Sequence, residues 1–373
     1  MKLEALSSIS WYLSSGREGP VRLPMPPRRR FAFAFLSVLL PLTACGRGPA
    51  YGSDNAIVAV VDPALRERVE PALRASLERG VETTRMEPVF EVTFTTPEGI
   101  GEFRKWKRLL VIEPGGEDAV LLPELVDTPL EGPVSTVVHD KWARGQTIYV
   151  LAAPTPEATA ELVRASADSL YGVIHDQFVD YHVARMWASE PDSALAGRLA
   201  EELGFSVLLP NVYRPAGASA PADSRVWYNE DPRRVVSLHW LPRPTGLTAD
   251  TLLALRREWG HQLFPGDSIT GVLPAPAGTA VPPDSLTEGP VPQVRTLETR
   301  LGGLPAIRLQ GPWTSPSDVG TGLFVTYGVI CGDRLVLLDG NLYAPDRSKY
   351  PYVVQLDRIF ETFRCAAAGD GAA

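Results

Sequence analysis

The chain alternates between two kinds of apolar pattern. Ile57-Val58-Ala59-Val60-Val61 is a short β-branched run, which predicts a buried strand. Asp62 and Pro63 then supply a cap and a first helical residue. Leu65, Val69, Leu73 and Leu77 recur every four residues, giving a helix with one apolar stripe that Gly80 stops. Phe90 to Thr95 alternates apolar and polar residues, a half-buried strand. A short helix over 97–106, strands over 109–112 and 147–152, and one long helix over 156–186, with a break expected at Gly172, complete the first half.

The second half opens with a helix over 195–203, ended by Gly204. Strands are predicted at 205–209, 226–229 and 235–241, and a helix from Thr248 through Phe264. Four further strands lie near 293–301, 304–310, 322–330 and 333–339. Cys331-Gly332-Asp333 suits a tight hairpin between the last two. A helix over 351–363 closes the chain, with Tyr352, Leu356, Ile359, Phe360 and Phe363 turned to the core. Consecutive strands without helices between them argue for antiparallel pairing. The predicted class is α+β: two mixed halves with mainly antiparallel sheets and helices packed on one face. The expected domains are 56–190 and 191–373, the second holding a Pro-rich loop at 265–292.

The N-terminal stretch follows neither pattern. Arg28, Arg29 and Arg30 precede 12 uncharged residues, Phe31 to Leu42, and then Leu42-Thr43-Ala44-Cys45. The apolar run has the length of a signal-peptide core and is too short for a membrane span. The tetrapeptide resembles the lipobox of bacterial lipoproteins, in which the cysteine is acylated and the peptide is cut before it. That resemblance implies lipidation of Cys45, a signal peptide over 25–44 and a tether over 45–55. Residues 1–24 read as an over-called start, with Met25 the true one. More than one acyl chain anchors stably, so the expected partner at this end is a membrane held through lipid. Gly46 stands where an inner-membrane retention Asp is found in such lipoproteins, which points to the outer membrane, facing the periplasm.

Removing residues 1–44 takes away six of 36 basic and two of 44 acidic residues, leaving a net charge of about −12. An acidic body excludes nucleic acid as a partner, since that binding needs a basic face. The 35 prolines are about twice the usual abundance and collect in loops. Cys331 and Cys365 are left after lipidation. In an oxidising envelope they form a disulfide tying a strand to the final helix, or they stay as two separate buried thiols.

No G-x-S-x-G, H-E-x-x-H, phosphate loop or C-x-x-C occurs. His175 and His182 lie seven apart on one helix face, with Asp176 and Asp180 beside them, but two turns is wide for a local zinc site. The cluster reads as a polar helix face, and neither a metal nor a cofactor is expected. Asp54, Asp62, Glu87, Glu91, Asp140 and Asp339 stand near strand or loop ends, and two of them brought together could do acid–base work.

Several stretches recur in a recognisable order: Glu87-Pro88-Val89-Phe90, Asp140 to Gln146, Gly311-Pro312-Trp313 with Gly322 to Tyr327, and Tyr343-Ala344-Pro345 leading to Lys349-Tyr350. Behind a lipobox they resemble the bacterial lipoproteins grouped as the domain of unknown function 4837 family, a likeness expected over nearly the whole mature chain. The family implies a location and no chemistry. Trp142, Gln146, Trp313 and Tyr343 are loop residues that could form a platform for a peptide, a glycan or an envelope protein, or could plug the sheet ends. The sequence thus favours a non-catalytic binding or assembly module. The alternatives are a periplasmic hydrolase using carboxylates and a carrier of an apolar ligand.

Overall fold

The computed structural model describes residues 47–217, 220–269, 271, 293–315 and 320–366. Cys45, the segments before it and most of the 265–292 loop lie outside these residues. The first sheet is built from β1 (Ala56–Val61), then α1 (Arg66–Leu77), a small hairpin of β2 (Gly80–Glu82) and β3 (Met86–Pro88), and β4 (Glu91–Thr95). A 3₁₀ segment (Glu98–Lys105), β5 (Arg108–Ile112), α2 (Leu122–Leu125), β6 (Val134–His139), β7 (Thr147–Ala152) and the long α3 (Pro156–Met186) follow. The strand order is β4-β1-β5-β7-β6.

This sheet departs from expectation. β1 runs parallel to β4 and β5, and β5 parallel to β7; only the edge pair β6–β7 is antiparallel. Both faces are covered. Ile57, Ala59 and Val61 pack with α1 and α3, while Val58 and Val60 pack with Ile100, Leu122 and Leu125. Two buried faces explain why Ile57–Val61 is continuously apolar. Helix α3 runs without a break through Gly172; Thr155 caps it through its side chain, and a lining of Ala160, Val163, Leu170, Ile174 and Phe178 holds it on the sheet.

The second half contains α4 (Ser193–Leu203), β8 (Phe205–Ser206), β9 (Arg214–Pro215), β10 (Ser224–Glu230), β11 (Arg233–Pro242), α5 (Ala249–Leu263), β12 (Ser268–Ile269), β13 (Arg295–Leu301), β14 (Leu304–Ser315), β15 (Gly320–Cys331), β16 (Arg334–Tyr343), α6 (Tyr350–Phe360) and β17 (Arg364–Cys365). Here the pairing is antiparallel as expected, in an eight-stranded sheet ordered β12-β14-β15-β16-β11-β10-β9, with β13 on β14. Helices α4 and α6 share a core with Val236, Leu238, Val325 and Val336, whereas α5 packs through Leu252 and Leu253 with Phe324, Leu335 and Leu337. The class is α+β. Cys331 and Cys365 form a disulfide with Cα atoms 5.8 Å apart. It joins the end of β15 to β17, beyond the final helix rather than within it.

The two sheets meet along α3 and α6 in one compact unit. Phe178 stacks on Tyr350, and the His175 Nε2 lies 2.7 Å from the Tyr350 hydroxyl. Glu87 and Lys349 form a buried ion pair, with the Lys349 Nζ 3.1 Å from one carboxylate oxygen and its backbone N–H donating to the other at 3.0 Å.

Candidate functional site

At this seam lies a cavity of about 650 Å³. Both halves of the chain wall it. Asp54 and Asn55 enter ahead of β1; His182, Arg185, Ala188 and Ser189 come from the end of α3 and the turn after it; Tyr213, Asp231, Arg234, Arg347, Tyr352 and Gln355 come from the second half. Arg234 reaches it because β11 alternates: Arg234 shares the inward face with Val236 and Leu238.

The polar bookkeeping of this cavity is unusual. Four buried side-chain polar atoms among the described residues have no hydrogen-bond partner: His182 Nε2, Ser189 Oγ, Tyr213 Oη and Arg234 Nε. All four residues line the one cavity. Buried polar groups are normally satisfied, and leaving each one unpaired costs about 1–3 kcal/mol. His182, Tyr213 and Arg234 expose only 5%, 7% and 7% of their surface, so bulk water does not pay that cost back.

Charge is also unbalanced. Arg347 pairs with Asp231 at 2.7 Å, and Asp54 is held by Lys107 at 2.5 Å and by Arg185 at 3.8 Å. Arg234 has no carboxylate partner among the described residues; its Nη1 donates to the Gln355 Oε1, and its guanidinium stands 5.2 Å from the Tyr352 ring centre and 5.8 Å from that of Tyr213. Burial holds His182 down to about 4, with Asp54 opposing it and Arg108, Arg185 and Lys107 reinforcing it, so its imidazole is neutral near pH 7. The Tyr213 hydroxyl is pushed up by burial and stays protonated, a donor.

The aromatic platform is not assembled. Trp142 leans on the core around Ile148 and Val150; its Nε1 donates to Glu124 at 3.0 Å and Arg104 lies 4.6 Å over its ring. Gln146 is buried. Its amide donates to the carbonyls of Arg104 and Trp106 and accepts from the Trp142 N–H, which leaves none of it for a ligand. Trp313 and Tyr343 do meet, with ring centres 6.3 Å apart, in a separate pocket of about 210 Å³ with Phe264 and Val235. Sequence position thus brings each pair together and keeps the pairs apart.

The carboxylates are spent on structure. Asp339 accepts from Arg256 at 3.0 Å and from Thr326 inside the second sheet, and Glu87 holds Lys349. The Asp140 carboxylate accepts from the Gly145 N–H in the turn before β7. No group of three metal-binding side chains occurs among the described residues. His175 is engaged by Tyr350 and stacked on Tyr171, while His182 turns to the cavity, so the two do not act together.

Fold and site therefore define an α+β protein with a cavity of mixed polar and apolar lining at the junction of two sheets. Residues 192–362 match the family described as Domain of unknown function (DUF4837). Residues 50–186 match a different one, Domain of unknown function (DUF8532). The likeness expected along the whole mature chain is thereby confined to the second half; Glu87–Phe90 and Asp140–Gln146 fall in the other family's stretch. No curated protein matches the sequence. Among solved structures, cyanobacterial PsbP (CyanoP) of Synechocystis sp. PCC 6803 is 13% identical, covering 43% of this chain and 86% of that one, with a TM-score of 0.30. LpqN of Mycobacterium tuberculosis, described as involved in cell envelope biogenesis, is 10% identical over 43% and 82%, with a TM-score of 0.27. A Bacteroides thetaiotaomicron protein is 9% identical over 43% and 45%, at 0.26.

Proposed function

We propose that this chain is a lipid-anchored cell-envelope protein that binds a small ligand in the seam cavity without transforming it. One observation carries the binding half of the reading: every unpartnered buried polar atom among the described residues belongs to a residue lining that cavity. A fold tolerates several such costs in one place when a ligand repays them. The anchor is supported by the Arg28–Cys45 stretch, and no described helix is long and apolar enough to cross a membrane. The absence of turnover is supported by the pairing of both cavity carboxylates, Asp54 and Asp231, to cations. The cavity's charged walls fit an apolar carrier poorly.

Melting temperature is the test of binding, because a ligand that binds only the folded state raises it. Fractionated small molecules from the envelope should include at least one that stabilises the protein, and Ser189→Trp, which fills the cavity, should abolish the shift. If no fraction shifts the wild type, the cavity is not a binding site. For the anchor, mass spectrometry should find a lipidated Cys45 as first residue; a Cys45→Ala protein that still fractionates with membranes would remove it.

A further inference from the structure

The protein contains its own template for what Arg234 lacks. Arg256 turns its Nε and Nη2 to the two oxygens of Asp339, at 3.0 and 3.3 Å. Arg308 does the same to Asp357, at 2.8 and 2.9 Å. Both use the Nε–Nη2 edge, which matches a carboxylate with two parallel bonds. In Arg234 the other nitrogen, Nη1, is committed to Gln355, and the Nε is buried without a hydrogen-bond partner. Arg256 and Arg234 are buried and Arg308 is half-buried; Arg256 and Arg308 each hold a carboxylate by that edge, whereas Arg234, which lines the seam cavity, pairs with no carboxylate among the described residues.

We infer that the seam cavity takes a ligand bearing a single carboxylate, held by the Nε–Nη2 edge of Arg234. This rests on the reading of the cavity as a binding site and adds the ligand's chemistry. The charge count agrees in sign: the lining has Arg185, Arg234 and Arg347 against Asp54 and Asp231, and Lys107 also holds Asp54, so the site has an excess of positive charge that suits an anion. Tyr213 and Ser189 supply hydroxyl donors, and neutral His182 can donate or accept to the rest of the molecule. Met186, Val212, Pro351 and the Tyr352 ring provide apolar wall for its body. A carboxylate of this kind belongs to a small organic acid or to the free end of a short peptide; the chemistry at Arg234 is the same.

Calorimetry on the folded, unlipidated mature chain decides among these. The probes are benzoate, benzamide, inorganic phosphate, and an acetylated dipeptide with its C-terminus free or amidated. Benzoate or the free-end dipeptide should bind, with benzamide and the amidated dipeptide roughly tenfold weaker or silent, as expected for loss of a charge-assisted pair. Preference between the two acids identifies the source. Arg234→Lys keeps the charge and loses the edge; it should weaken binding by a similar factor. Tyr213→Phe removes a hydroxyl without a partner and so guards against a folding defect in the arginine variant. It should weaken the same probe in a protein of undiminished stability. Equal binding of acid and amide, or preference for phosphate, would overturn the carboxylate and leave the cavity a binding site. Silence from these probes while an envelope fraction still stabilises the protein has the same meaning. Silence from both would remove the cavity itself.

Discussion

Trp313 faces Gly322 across β14 and β15, and a Cβ built at Gly322 would fall 2.2 Å from the Trp313 indole and 2.4 Å from the Leu342 carbonyl oxygen. Glycine is required there by crowding from both sides. Gly322→Ala should destabilise the protein by about 1–3 kcal/mol, the usual cost of overpacking. Trp313→Ala in the same chain should recover part of the loss, since it removes one of the two clashes. A double-mutant cycle by urea denaturation checks this, and strict additivity would mean that the two residues do not touch.

Tyr213→Phe should make the ligand-free protein more stable, by about 1 kcal/mol, because it deletes a buried hydroxyl that has no partner. Most buried substitutions destabilise, so the sign is the informative part. Denaturation midpoints of the two proteins give the answer.

His182 predicts a pH dependence with a definite sign. Its folded value is about 4 against 6.5 for the free side chain, because burial disfavours the charged form. Between those values the unfolded chain holds more protons, so stability rises with pH through that window and the contribution is complete above 6.5. Acidification from 6.5 toward 4 should therefore weaken the wild type more than His182→Gln. Other groups titrate in both proteins, and the difference between the two curves isolates the imidazole.

The buried Glu87–Lys349 pair should behave asymmetrically. Lys349→Met alone strands a carboxylate and should cost about 3–5 kcal/mol, while Glu87→Leu added to it should return much of that. Thermal unfolding of the single and double variants measures the difference.

Removing the Cys331–Cys365 bond by changing both residues to Ala should cost about 2–4 kcal/mol. Peptide mapping without reductant verifies the bond first; two free thiols there would withdraw the prediction.

Regular elements were legible where local signals agree. Thr155, Pro156 and the apolar stripe mark α3 from its first residue to its last, and Gly204 in the left-handed region ends α4 as its position suggests. The edge strand β6 escapes notice because Val134–His139 is mostly half-buried and has no clean alternation. The hairpin of β2 and β3 is too short, at three residues a side, to leave a period. The parallel arrangement of the first sheet was implicit in its β-α-β order, and the run Ile57–Val61 with no polar face was the sign of two covered sides. His182 and Asp54 were visible as polar residues near structure, yet nothing in sequence joins them to Tyr213, Arg234 and Arg347. One clue did exist: Arg234 sits in phase with Val236 and Leu238, and a charge on the inward phase of a strand needs a partner.

The cavity's walls are drawn from both family stretches: Asp54, His182 and Arg185 on one side, Tyr213, Arg234 and Gln355 on the other. If the cavity binds a ligand as proposed, its choice is a joint property of the two family stretches. Exchanging residues 50–186 for those of a homologue would keep the arginine anchor and replace the opposite wall. Recombination near residue 190 would then alter one wall of the cavity at a single stroke and pass on the half that carries Arg234 intact.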